Sequence, residues 1–457
     1  MYTAAYISNR VVLPDGVRPA AIVVDTASGN ILRIAEADAP GPVDRTHHFG
    51  DLAILPGLID PHVHINEPGR TEWEGFLTAT RAAAAGGITT VVDMPLNCLP
   101  PTTTVAGLEA KRAAAGGKCY VDWRPWGGAE NGNQPQLEAL AAAGVPGFKC
   151  FLVYPGCDGL GLLDEQNLRT AAPIIGRTGL PLLVHAEHPA FLPGVSTNGD
   201  PRRYATYLAT RPDEAELAAI SLLIDLCRET RARIHIVHLA TALALPMLRA
   251  AKAEGLPITV ETCPHYLYFA AEDIPDGRTD LKCAPPIRGS ENRSHLLQAV
   301  VDGTVDLIAS DHSPCPPEMK GLQAGDFAKA WGGIASLSLG ISTLSTIFAT
   351  SPLTTDLWDS DPRIIRIANL MSSAPAKLAG IDHHKGRIAE GFDADLTIFA
   401  PEESFTVTPA DLHFRHPISP YLGERLIGRV KQTILRGHLI FDHGKFPGGP
   451  TGREVPA

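Results

Sequence analysis

The chain has no basic stretch longer than pairs such as Arg202-Arg203, and its formal charge is -11 over 457 residues. Nucleic acid and anionic membrane surfaces select clustered Lys and Arg, so a small molecule is the better-suited partner. No apolar run is long enough to cross a bilayer, and no charged-then-apolar leader opens the chain, so a cytoplasmic protein is expected. There is no Cys-x-x-Cys; the eight cysteines are scattered at 98, 119, 150, 157, 227, 263, 283 and 315. Reduced thiols are therefore expected rather than a disulfide framework. Internal repeats and low-complexity tracts are missing too, beyond a strand-and-helix rhythm and Ala-rich helix faces.

That rhythm organises the chain. Short β-branched runs alternate with Ala- and Leu-rich stretches, the pattern of repeated βα units on a parallel sheet. Strand-like segments run over 59–64, 89–95, 119–123, 148–152, 182–185, 234–238, 258–263 and 305–311, and helical spacing is clear at 213–229 and 241–254. Eight such strands predict an α/β fold, a (β/α)8 TIM barrel over 53–385, with chemistry at the carboxyl ends of the strands. Residues 1–52 and 386–457 share a different texture, short β runs broken by Asp15-Gly16 and Ser28-Gly29, and predict one smaller β-sandwich domain formed from both chain termini. Residues 188–212, rich in Pro, Gly and Arg, read as a long loop over the barrel mouth.

The chemistry collects where apolar runs give way to polar residues. His62 and His64 project from one strand end, His185, His238 and Asp311 end three others, and Lys149 ends a fourth. His-x-His alone is weak; its force comes from convergence on one barrel mouth. His235 lies three residues before His238, on the opposite face by strand alternation, and reads as structural. Four imidazoles, a carboxylate and a lysine suffice for two divalent ions, zinc first, with manganese, cobalt or iron as alternatives. Cys150, Cys263, Cys283 and Cys315 fall near strand ends and leave thiolate ligation open, although nitrogen and oxygen ligands explain more residues. Lys149 has two readings: an exposed or phosphate-binding ammonium, or a neutral amine that carbon dioxide turns into a carbamate, whose two oxygens reach two metals. Such a pair implies metal-assisted hydrolysis, with Asp311 either holding metal only or also moving a proton to a departing nitrogen. Asp60 reads as a turn residue or a support for a ligand.

These residues carry a resemblance. Pro-Gly-Leu-Ile-Asp-Pro-His-Val-His, Gly-Phe-Lys-Cys-Phe, Val-His-Ala-Glu, Ile-Val-His-Leu and Ser-Asp-His-Ser-Pro-Cys, in that order, resemble the cyclic amidohydrolases: dihydroorotases, hydantoinases and allantoinases. The segment from Gly386 to Leu396 is similar to that family's return to its β domain. The resemblance implies a binuclear centre of His62, His64, carbamylated Lys149, His185, His238 and Asp311. Within the family, dihydroorotases place a carboxylate-binding arginine where this chain has Asn66. The longer strings from His62 to Phe76, Met94 to Asn97, Ser310 to Lys320 and Ala330 to Ile334 resemble allantoinases, while the stretch from Phe151 to Gly161 departs from them. That branch implies opening of the hydantoin ring of allantoin to allantoate in purine-nitrogen recovery, by a homo-oligomer, commonly a tetramer. Hydantoinase, dihydropyrimidinase and dihydroorotase activities are the rivals, with a non-catalytic scaffold behind them. Asn66, Asn97, Cys283 and Ser313 are the candidate ring contacts.

Overall fold

The computed structural model describes residues 2–193 and 199–456. Eight parallel strands form the barrel: β1 (Leu58–Val63), β2 (Ile88–Asp93), β3 (Asp122–Pro125), β4 (Phe148–Phe151), β5 (Leu182–His185), β6 (Ile234–Ile236), β7 (Ile258–Thr262) and β8 (Leu307–Ile308). β1 to β3 pair in sequence order, as do β4 to β8, and β4 takes as its other neighbour Gly127–Gly128, just beyond β3 in the chain. Closure falls between β8 and β1: His64 N–H donates to His312 O at 2.9 Å, and both oxygens of buried Asp60 lie 3.3 Å from Ser310 N. Asp60 thus serves as a seam between first and last strands. The third strand begins later than the sequence suggests, because Cys119 lies in the irregular stretch between the turn at Gly116–Lys118 and Asp122.

Two faces of each strand explain the near-continuous apolar runs. On β4, Phe148 and Cys150 pack outward against the helices while Lys149 and Phe151 turn in; on β5, Leu182 and Val184 pack outward and Leu183 and His185 turn in. The helix Glu165–Thr178 shows how the outer layer forms. Asp164 caps it by accepting from Asn167 N, Gly179 ends it at φ 74°, and Leu168, Ala171, Ala172 and Ile175 make one buried stripe. Burial of Leu168 and Ile175 contributes about 1.5–3 kcal/mol each. The segment 188–212 is more ordered than a loop. It holds a 3-10 turn at Pro189–Phe191 and a helix at Tyr204–Leu208, pinned by Tyr204 OH to Ile287 O and Tyr207 OH to Cys283 O, while 194–198 lie outside the described residues.

The small β-sandwich domain draws on both chain ends. Seven of its eight strands hydrogen-bond in one path, with Leu396–Thr406 joining Ala53–Pro56 and thence Thr3–Leu13, and Arg45–His48 pairs Thr3–Leu13 off that path. The sheet therefore runs past the boundary at 52 read from sequence. Thr3–Leu13 pairs with Arg45–His48 through Ala4–Ile7 and with Ala53–Pro56 through Arg10–Val11, switching partners across an irregularity at Ser8–Val11. Domain and barrel meet at a buried charge cluster. Lys385 Nζ lies 2.9 Å from Asp122 on β3, 2.8 Å from Asp393 and 2.6 Å from Asp395, and Arg436 also reaches Asp122.

Candidate metal centre

Strand ends deliver the predicted residues to one buried point. His62 Nε2 and His64 Nε2 each lie 3.2 Å from Asp311 Oδ1, His185 Nδ1 lies 3.0 Å from His238 Nε2, and the His62 and His238 rings are 5.5 Å apart. His62, His238 and Asp311 offer ligand atoms within 4.8 Å of one another. Lys149 is fully buried, its Nζ donating to Cys150 O at 3.3 Å and standing 3.5 Å from the centre of the Phe151 ring. That excludes a solvent-exposed lysine. Burial brings its pKa down to about 7.

His238 arrives by a route that simple alternation misses. His235 is not turned away from the centre: its Nε2 lies 3.0 Å from Glu261 Oε2, and the other Glu261 oxygen lies 2.5 Å from His62 Nδ1, so all three share the barrel interior. Val237 packs inward as well. A continued strand would send residue 238 outward. Instead β6 ends at Ile236 and His238 adopts φ 39°, which swings its ring to 4.7 Å from that of His185. Asp311, Asn66 and Asn97 also hold left-handed backbone, at φ 47°, 67° and 61°. Such conformations cost energy in a non-glycine residue and cluster where function over-determines geometry.

The hydrogen bonds behind the ligands test whether cations fit. Glu261 occupies His62 Nδ1, so a neutral His62 presents a bare Nε2 lone pair 3.2 Å from a carboxylate oxygen. Glu187 likewise takes His185 Nε2 at 2.6 Å, leaving a bare Nδ1 against His238 Nε2. His238 Nδ1 has no partner among the described residues. The near nitrogens of His62 and His185 thus face Asp311 and His238 across the centre, lone pairs that divalent cations can share. The same acidic surroundings draw a proton to His62, a demand for positive charge at this point. Burial alone would lower His62, but Asp311 and Glu261 outweigh it and raise it to about 9; burial takes His64 down to about 4. Burial opposes ionisation of Glu261 and Glu187, yet their imidazole and Arg211 neighbours bring both down to about 2. Burial pushes the Cys150 and Cys283 thiols up to about 12, Cys315 to about 11 and Cys263 well above its usual value, and none of the four joins the cluster of His62, His238 and Asp311.

Around this centre, Asn66 donates to Pro314 O at 3.3 Å and leaves its buried Oδ1 without a partner among the described residues. Asn97 Nδ2 stands 3.4 Å from His64 Nδ1 and accepts the Cys157 thiol at 2.8 Å on Oδ1. Ser313 Oγ donates to Asp311 at 3.3 Å, and Cys283 is buried with its carbonyl held by Tyr207. Sequence reasoning missed Glu261 and gave Glu187 no role. A lone Glu amid the apolar run Ile258–Cys263 was the available clue to the first.

The sequence and the fold have relatives among known proteins. The model of the amidohydrolase family matches residues 53–440. An allantoinase from Streptomyces avermitilis is 47% identical over 448 residues, 98% of this chain and 97% of its own. An allantoinase from Saccharomyces cerevisiae is 39% identical over 449 residues, 96% and 95% of the two chains. The solved L-hydantoinase (dihydropyrimidinase) from Arthrobacter aurescens superposes with a TM-score of 0.92 at 28% identity, covering 100% of both chains.

Proposed function

The chain belongs to the amidohydrolase family, with allantoinases among its near-full-length relatives, and from that premise we propose a metal-dependent cyclic amide hydrolase that opens allantoin to allantoate. One observation carries the metal dependence: Glu261 and Glu187 hold the far nitrogens of His62 and His185 and so aim the near nitrogens at Asp311 and His238. His62, His64, His185, His238 and Asp311, with Lys149 as a carbamate, would hold two divalent ions, zinc or in its place manganese, cobalt or iron. When bound, such ions supply hydroxide near neutral pH and polarise a carbonyl. Lys149 reaches the carbamate when its neutral Nζ adds to carbon dioxide and releases a proton, and a pKa of about 7 keeps much of the amine neutral. Asp311 takes a proton on its carboxylate and delivers it to the departing ring nitrogen.

The substrate reading rests on Asn66. Its Nδ2 is committed to Pro314 O, and its Oδ1 is a free buried acceptor for an N–H of a ring or ureido group. No positive charge stands there to offset desolvation of a substrate carboxylate, which disfavours dihydroorotate. Asn97, Ser313 and Cys283 complete the ring contacts in this reading. Buried, unpaired cysteines support a cytoplasmic setting, and family resemblance supports a homotetramer, which light scattering checks. Residues 1–52 and 386–457 flank the barrel unit of 53–385 in the same scheme, with Ala53–Pro56 passing to their sheet. The test is kcat/KM on allantoin, hydantoin, dihydrouracil and dihydroorotate, with metal counted per chain. Allantoin should lead and dihydroorotate trail; equal turnover of those two, or full activity without metal, refutes the proposal.

A further inference from the structure

Lys320 belongs to none of the machinery described so far. It closes the short helix Pro317–Lys320, is 4% exposed, and makes no ion pair among the described residues. A buried ammonium without a counter-charge demands other partners. Lys320 finds them in backbone oxygens: Nζ lies 3.4 Å from Thr279 O, 3.4 Å from Lys282 O and 3.0 Å from Trp331 O, and it also donates to Gly333 O. Its own carbonyl accepts Thr279 Oγ1 at 2.6 Å. Four carbonyl dipoles from two chain segments therefore converge on one charge.

Those segments flank the centre. One, 279–283, follows β7 and ends at Cys283; the other, 331–334, follows β8, and its Ile334 O accepts Ser313 N at 2.9 Å. Gly333 N donates to Lys282 O at 2.8 Å, so the segments also touch directly. There is no slack at the contact, since a Cβ built on Gly333 would stand 2.5 Å from Ser313 Cβ. Ser313 in turn bonds Asp311. We propose that Lys320 is a positioning residue for substrate binding, its ammonium setting the separation of the two segments and hence of Cys283 and Ser313 across the ring pocket. This rests on the reading that those two residues contact the ring. Methionine matches the stem but removes every donor, leaving carbonyls unpaired and the segments free to part.

The experiment uses the metal-loaded full chain and the variants Lys320→Met, Lys320→Arg and Thr279→Val, measuring metal per chain, Tm, and KM and kcat for allantoin. Lys320→Met should raise KM about tenfold or more with kcat within about threefold and metal content unchanged. Lys320→Arg, which keeps the charge, should recover part of that rise. Thr279→Val loosens the Lys320 backbone without stranding a charge and should raise KM about two- to threefold at nearly the parental Tm. If Lys320→Met fails to fold, the other two variants decide. A lowered Tm with KM at the parental value in the soluble variants makes Lys320 structural only and overturns the proposal. Should the parent not open allantoin, the functional reading fails first, and the same KM comparison is made on whichever ring of the panel it opens.

Discussion

Replacing Glu261 by Gln probes the centre without touching a metal ligand. The side chain is fully buried and receives three donors: His62 Nδ1 at 2.5 Å, His235 Nε2 at 3.0 Å and His238 N at 3.3 Å. Glutamine keeps the shape but offers one acceptor oxygen and an NH2 group, so at least one of the three donors meets another donor. If His62 escapes by moving its proton to Nε2, the lone pair leaves the site where Asp311 waits 3.2 Å away. Partners of this kind are worth about 10- to 100-fold in metal affinity, which is roughly 1.4–2.8 kcal/mol. A stranded buried donor costs a further 1–3 kcal/mol or so of fold stability. Chelator competition on the purified variant reads the first figure and denaturant unfolding of the chelated protein reads the second. Retention of parental metal affinity together with parental kcat would refute the assignment of Glu261 as the group that fixes the His62 tautomer.

Lys149→Ala should lose bridged metal and most activity, with partial recovery when a small carboxylate is present during reconstitution; two metals and full activity in that variant would remove the carbamate. Asp311→Asn should lower kcat by about 100-fold or more while some metal stays bound, and an unchanged pH-rate profile would shift proton transfer to another group. Asn66→Arg should weaken allantoin turnover by burying a guanidinium with no anion, read as kcat/KM on allantoin against dihydroorotate. Lys385→Met should cost about 3–5 kcal/mol, since it strands Asp393 and Asp395 and leaves Asp122 with Arg436 as its cation. Burial works against both charges in the parent, yet pairing raises Lys385 and lowers Asp122. The Lys385 contribution is thus whole below its unfolded pKa near 10.4 and lost only as pH rises through its folded value; that of Asp122 is whole above about 3.9 and lost as pH falls through its depressed value. Asp395 runs the other way in the parent, where burial raises it, and the variant extends that behaviour. Its stranded carboxylates bind protons in the folded state, so unfolding free energy should fall between pH 5 and pH 8, and a rise over that window would contradict the clamp.

The barrel was legible because strands buried on both faces leave dense β-branched runs whose polar ends stand out. His62, His64, Lys149, His185 and Asp311 could be placed together for that reason alone: strand ends of a closed barrel share a mouth. His238 joined them for a reason the sequence does not carry. Alternation sorts residues only while a strand lasts, and β6 stops before residue 238 turns into left-handed backbone. Glu261 and the carbonyl cage of Lys320 were hidden for a related cause, since their partners come from strands and loops distant in the chain. The helix Tyr204–Leu208 inside 188–212 escaped because five residues make too short a period to read, and its order comes from two tyrosine hydroxyls bonded far away.

The path of the small sheet has a bearing on synthesis. Ala53–Pro56 emerges early, yet one of its edges is paired only by Leu396–Phe399, roughly 340 residues later. At a ribosomal rate of about 5–20 residues per second, that edge waits roughly 20–70 s for its neighbour while the whole barrel is made beside it. An open strand edge is a template for pairing with another chain. Nascent chains that stall within the barrel are therefore the ones exposed to edge-to-edge association, and ribosome-bound chaperones that shelter the first sixty residues should raise yield more than those acting after release.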